Sequence, residues 1–209
     1  CLFSFLCNLK AQTKDQVYVD DRGVMRWSAD KSELHGFGVN YTLPFAHEYR
    51  MAQKAGVSPE DAVREDVYHM ARLDLDFYRV HVWDTEISDT LGNLINNDHL
   101  NLFDFMVHEM KKRGMGFIIT PIAYWGNGWP ERDEFTPGFS RKYGKADCLT
   151  NAGAIEAQAN YLNQFLNHVN PYTGIAYKDD PHVIGFEICN EPHHNEPAGK
   201  VTSFINKMV

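Results

Sequence analysis

The chain reads as an α/β protein: about four βα units, the first half of a (β/α)8 TIM barrel, behind an N-terminal β-hairpin. Three observations predict this. Four apolar, β-prone runs alternate with stretches of helical periodicity, and strands separated by amphipathic helices pair in parallel through right-handed crossovers. No glycine-rich fingerprint follows any of these runs, which counts against the alternative of a complete, small open sheet of the nucleotide-binding kind. A whole barrel takes about 250 residues, so four units in 209 residues are expected to be about half of one, with the remainder beyond Val209.

The elements follow in order. Residues 1–11 (CLFSFLCNLKA) read as the end of a secretory signal peptide cleaved after Ala11, a small residue closing an apolar run. The alternative is a first strand or helix of the fold. If the leader is removed, a secreted or periplasmic protein is expected. Residues 12–33 form the hairpin region, with two β-prone runs flanking Asp20-Asp21-Arg22-Gly23. Residues 34–209 form the barrel part. Its first strand is Leu34 to Tyr41, and Ser58-Pro59-Glu60-Asp61 then opens a helix with a cap, a proline at the first position and early acids. Leu75 to Trp83 is the second strand. The helix after Asp98 places Phe103, Met106, Val107 and Met110 on one face and stops at Gly114. Gly116 to Tyr124 is the third strand. A long loop, Trp125 to Thr150, precedes a helix with Ile155, Leu162, Phe165, Leu166 and Val169 on one stripe. His182 to Cys189 is the fourth strand, and a last helix starts near Pro197.

Composition narrows the partners. With 44% hydrophobic and 23% charged residues the chain is globular, and a formal charge of −8 without a long basic run speaks against nucleic acid or an anionic membrane surface. No apolar run has the length of a membrane span. A neutral substrate fits better.

The chemistry concentrates at strand ends. Asn190 and Glu191 stand where the fourth strand breaks at Pro192, and in a parallel barrel the C-terminal strand ends build the active face. A period of two puts Glu187, Cys189 and Glu191 on one side of that strand. On the second strand, Phe77, Arg79, His81 and Trp83 share a face, and an inward arginine needs a carboxylate. Arg79 and Glu187 therefore form either an interior ion pair or part of the site.

Asn190-Glu191-Pro192 closing the run Asp180 to Glu187 resembles the fourth strand of glycoside hydrolase family 5, the cellulase- and mannanase-like family of retaining barrel glycosidases. Gly38-Val39-Asn40-Tyr41 and Tyr78-Arg79-Val80 are similar to its first two strands, in the same order. The resemblance covers most of residues 34–209. It implies cleavage of a β-linked poly- or oligosaccharide with retention. Glu191 would be the general acid/base, Asn190 would bind the sugar 2-hydroxyl, and Arg79 would orient the nucleophile. A retaining enzyme needs a second carboxylate about 5–5.5 Å away, which in this family is a glutamate on the seventh strand, expected beyond residue 209. Unless Asp84 or Glu86 substitutes, these 209 residues alone are expected to be inactive. No metal or cofactor is implied.

Other residues carry weaker signals. Trp83, Trp125 and Trp129 fit either as sugar-stacking platforms or as side chains that pack loops onto the sheet, and His81 joins the substrate-binding candidates. Among ten histidines, His193 and His194 adjoin Glu191, yet no His-Glu-x-x-His occurs. A metal-dependent hydrolase and a non-catalytic carbohydrate-binding barrel are the alternatives. Cys148 and Cys189 either pair or remain free thiols.

Overall fold

The computed structural model describes residues 16–124, 138–192 and 198–209. Strands β1 (Val17–Val19) and β2 (Met25–Trp27) form an antiparallel hairpin with Val17 opposite Trp27. Asp20 builds its turn: the carboxylate accepts from the N–H groups of Arg22 and Val24, each at 2.9 Å, and from Arg26 Nε at 2.6 Å. This local capture of backbone is what aspartate does at turns. The signal-peptide segment, residues 1–11, lies outside the described residues.

Four strands, β3 (Gly38–Asn40), β4 (Phe77–His81), β5 (Gly116–Thr120) and β6 (Val183–Phe186), form one parallel sheet in the order β3-β4-β5-β6. Helices α1 (Ala46–Lys54), α2 (Pro59–Arg72), α3 (Asp84–Ile87), α4 (Asp98–Lys112), α5 (Phe139–Asp147), α6 (Ala152–Asn167) and α7 (Ala198–Met208) occupy the connections and the C-terminal segment. The α/β fold with a parallel sheet and an antiparallel hairpin is thus as expected.

The strands are shorter than the apolar runs, for identifiable reasons. Leu34 donates its N–H to Met25 in the hairpin (2.8 Å) instead of joining the sheet. Pro121 lacks an N–H and ends the β5 ladder at Thr120. On the fourth strand a bulge separates the Phe117–Val183 pairing from the Ile118–Gly185 pairing, and β6 ends at Phe186.

Helices α2 and α4 start at their caps, where Ser58 accepts from Asp61 N–H and Asn97 from Leu100 N–H. Three helices were not expected: α1, the single turn α3 that follows Trp83, and α5. Helix α1 has no capping side chain and buries only Ala46 and Arg50, so neither a cap nor an apolar stripe announces it. Helix α5 lies inside the stretch read as a loop, and Gly144, at φ +70°, interrupts it. Helix α6 ends at Asn167; Val169, expected on its apolar stripe, lies past the end and is 54% exposed.

One face of the sheet meets the helices. Tyr78, Val80, Phe117 and Ile119 are buried there with Phe103, Met106 and Met110 of α4 and Phe165 of α6. Phe103, Phe165 and Tyr177 form a three-ring cluster with centroids 5.3–5.9 Å apart. The opposite face holds the polar residues of the strand ends.

Candidate active site

Alternation along β4 turns Arg79 and His81 away from the helices, while Tyr78 and Val80 are buried against them. The register pairs Arg79 with Ile118 and His81 with Thr120, so Thr120 shares the polar face. Glu187, just past β6, is held in place by donating its N–H to Ile119 O at 2.9 Å.

These residues form one network across three strands. Arg79 grips the Glu187 carboxylate through Nε, at 3.0 and 3.1 Å, and through Nη2, at 2.5 Å. Thr120 Oγ1 also donates to Glu187, and Arg79 Nη1 meets His81 Nε2. Burial would raise the Glu187 carboxyl, but the hydrogen bonds from Arg79 and Thr120 outweigh it and hold the group below the usual carboxylate range. Burial, aided by the Arg79 charge, lowers the His81 imidazole. A neutral His81 is what an arginine donor needs as acceptor. The Arg79–Glu187 pair expected from sequence is present, but it is partly open to solvent: the side chains are 27% and 39% exposed.

The expected single face for Glu187, Cys189 and Glu191 does not form, because β6 stops at Phe186 and the chain bends through residues 188–191. Glu187 joins Arg79, whereas Cys189 is half-buried beside Tyr124. Glu191 takes φ +44° and leaves its side chain 78% exposed. Lys145 Nζ of α5 stands 3.9 Å from Glu191 Oε2. Three of the five non-glycine residues with positive φ, Ala46, Tyr124 and Glu191, follow the C-terminal ends of β3, β5 and β6. Such backbone strain clusters at functional sites.

Asn190 is only 4% exposed, and its N–H donates to Ile122 O at 2.8 Å. Its carboxamide makes no hydrogen bond among the described residues. Asn190 and Glu191 thus present an unused carboxamide and an open carboxylate side by side.

Asp84 and Glu86, weighed as substitute nucleophiles, are committed elsewhere. Asp84 is 1% exposed and accepts from Ala123 N–H (3.0 Å), Tyr124 N–H (3.4 Å) and the Ser140 hydroxyl. Burial pushes its carboxyl up to about 6, against the pull of those hydrogen bonds. Glu86 is 2% exposed, pairs with Arg50 at 2.6 Å and accepts from Ala46 N–H at 3.0 Å. Trp83 is 5% exposed and packs in the core, the packing alternative rather than the sugar platform. Trp125, Trp129, His193 and His194 lie outside the described residues. Cys148 and Cys189 are both free thiols.

Sequence reasoning missed Thr120 and Lys145. Thr120 was within reach of the period-of-two argument, since Ile118 and Thr120 alternate with buried Phe117 and Ile119. Lys145 carried no signal, because α5 was read as irregular.

Comparison with known proteins bears on the family and the fold. The sequence model of the cellulase family, glycosyl hydrolase family 5, matches residues 48–209. Mannan endo-1,4-beta-mannosidase 3 of Arabidopsis thaliana is 29% identical over 111 residues, 51% of this chain and 27% of that protein. Putative mannan endo-1,4-beta-mannosidase 9 of Oryza sativa subsp. japonica is 31% identical over 118 residues, 54% of this chain and 29% of that protein. The alignments therefore span well under half the length of these relatives. Among solved structures, the endo-1,4-beta-mannanase from Rhizomucor miehei superposes with a TM-score of 0.65 at 20% identity, covering 93% of this chain and 57% of that one. The exo-beta-1,4-mannosidase Op5Man5 from Opitutaceae bacterium strain TAV5 gives 0.65 at 19% identity, covering 91% and 31%. The fold is part of their barrel, and with the family match spanning residues 48–209 the chain belongs to glycosyl hydrolase family 5.

Proposed function

We propose that this chain carries the acid/base side of a retaining glycoside hydrolase that cleaves a β-1,4-linked mannan, with Glu191 as general acid and then base. The observation that carries the reading is the Asn190–Glu191 pair at the end of β6: a carboxamide hydrogen-bonded to no described residue, on a side chain otherwise packed to 4% exposure, next to a carboxylate left 78% exposed. Asn190 would give its amide to the 2-hydroxyl of the sugar at the cleavage point. Glu191 would protonate the departing glycosidic oxygen and then take a proton from the attacking water. Arg79, fixed by Glu187 and Thr120, would orient the second carboxylate, and His81 would line the same face. That second carboxylate, about 5–5.5 Å from Glu191 in a retaining enzyme, would come from outside these 209 residues, since Asp84 and Glu86 are bound into the core. Once present, it would also help keep Glu191 protonated. The choice of mannan rests on the named activities of the relatives. We also propose that the protein is secreted, as a polymeric substrate requires.

Glu191→Gln in the whole enzyme tests the assignment. Turnover of mannan, whose leaving group needs protonation, is expected to fall about 100- to 10,000-fold. Cleavage of an aryl mannoside with a good leaving group should suffer far less in its first step. Equal losses on both substrates would remove Glu191 from the acid role.

A further inference from the structure

A groove of about 530 Å³ runs along the outer helical layer, away from the Arg79–Glu187 face of the sheet. Its walls come from α1, the first turns of α2 and α4, and the loop after α6, with Tyr49, Gln53, Glu60, Asp98, Asn101 and Tyr172 among the lining residues. The volume is that of a ligand site rather than a packing flaw, since small-molecule pockets measure about 300–1,000 Å³. The lining selects a class of ligand. No lysine or arginine contributes to it, and with Glu60 and Asp98 present an anionic ligand is disfavoured. The residues are too polar for a lipid chain.

Two carboxamides, two carboxylates and tyrosine rings are what a neutral polyol meets in a binding site. Carboxylates accept from vicinal hydroxyls, carboxamides both donate and accept, and aromatic faces cover the C–H side of a sugar ring. The polar groups are also available. Among the described residues the side chains of Gln53, Glu60, Asp98 and Asn101 make no hydrogen bond or ion pair, although Glu60 and Asp98 stand in the first turns of their helices. Tyr172, by contrast, is fixed in orientation: its ring packs edge-on to Phe105 at 5.6 Å and stacks with His108 at 5.7 Å, and it remains 44% exposed. Tyr49 is steadied by His99, with centroids 4.3 Å apart. Pre-set aromatic rings lower the ordering cost of binding.

We infer that this groove is a second, non-catalytic carbohydrate site that holds a neutral β-linked hexose chain, a stretch of the same polysaccharide the enzyme cleaves. The identity of the chain rests on the proposed function; the polyol class rests on the groove. Helices α2 and α4 return antiparallel to the strands, so their first turns stand toward the strand ends that include Glu191, while Tyr172, in the segment leading into β6, marks the groove's other end. A polymer held there would remain close to the active face between cuts, raising its effective concentration.

The test uses the whole enzyme and two exposed positions, Gln53→Ala with Asn101→Ala, that touch no packing. Retention on immobilised mannan, measured in the Glu191→Gln background to prevent cleavage, is expected to weaken about tenfold as two hydrogen-bonding groups are lost. In the active enzyme the ratio of kcat/KM on polymeric mannan to kcat/KM on a short aryl mannoside is expected to drop. Tyr172→Ala should act in the same direction. Unchanged retention in the double variant would overturn the inference. If the protein proves inactive on mannan, the groove is read separately by titrating manno- and cello-oligosaccharides against wild type and the double variant. Loss of binding to any of them in the double variant sustains the site, and binding to none by wild type refutes it.

Discussion

Removing the Glu86 carboxylate is expected to unfold much of the molecule's margin of stability. The pair with Arg50 is closed, at 2.6 Å with side chains 4% and 2% exposed. Glu86 also accepts the N–H of Ala46, which starts α1 at φ +59°, so one carboxylate neutralises a buried cation and pins a left-handed alanine. Breaking one side of a buried pair costs about 3–5 kcal/mol, and an amide stripped of its acceptor adds about 1 kcal/mol. Glu86→Ala is therefore expected to lose about 4–6 kcal/mol, a large share of the roughly 5–15 kcal/mol that keeps a domain folded. With a urea slope of about 2–3 kcal/mol per molar, the denaturation midpoint of the whole protein should fall by about 2 M. The double variant Arg50→Met with Glu86→Leu removes both charges and should lose less than Glu86→Ala alone. A midpoint shift below about 0.5 M for Glu86→Ala would refute this reasoning. So would a double variant whose loss equals the sum of the singles, because uncoupled residues do not form a pair.

Two further outcomes follow from the site. Asp84 is buried and its carboxyl is raised from 3.8 to about 6, so the folded state holds a proton that the unfolded state releases. Its stabilising share is fully present below pH 3.8 and is lost as pH rises through about 6. Against Asp84→Asn, which keeps an acceptor for Ala123 and Tyr124 but cannot titrate, wild type should gain relative stability as pH falls from 6 to 4; a pH-independent difference in urea midpoint would contradict this. Arg79→Lys keeps the charge but loses the two-pronged grip on Glu187. Because that pair is partly exposed, the stability cost should be at most about 1 kcal/mol, while kcat/KM on mannan should fall about tenfold or more through misplacement; a variant with unchanged kcat/KM would deny Arg79 a positioning role.

The parts of the fold that sequence revealed are those where one residue has one local job. Ser58 and Asn97 cap their helices, Asp20 closes its turn, and the Tyr78–Val80 and Phe117–Ile119 alternations settle which side of the sheet is buried. The unread parts depend on partners distant in the chain. Helix α1 is held by Arg50 reaching Glu86, and no periodicity announces a buried arginine. Helix α5 is held by Gly138, whose Cα leaves room against Thr85 that a Cβ would take: it would come 2.3 Å from Thr85 Cα. At the site, Arg79, Glu187, Asn190 and Glu191 were legible because they sit on or beside strands with a fixed side-chain period. The burial of Trp83 was not, because α3 begins directly after it and turns the ring inward. The split of Glu187 from Glu191 arises from the bend that follows β6, which a simple alternation does not contain.

Asp84 has a consequence for how this protein can change over time. Its carboxylate holds Ala123 and Tyr124 on one side of residues 125–137 and Ser140 on the other. Ala123, Tyr124 and Ser140 are thereby tied to a single buried group. A change at Asp84 is therefore never a change at one place: it reaches Tyr124 and Ser140 together.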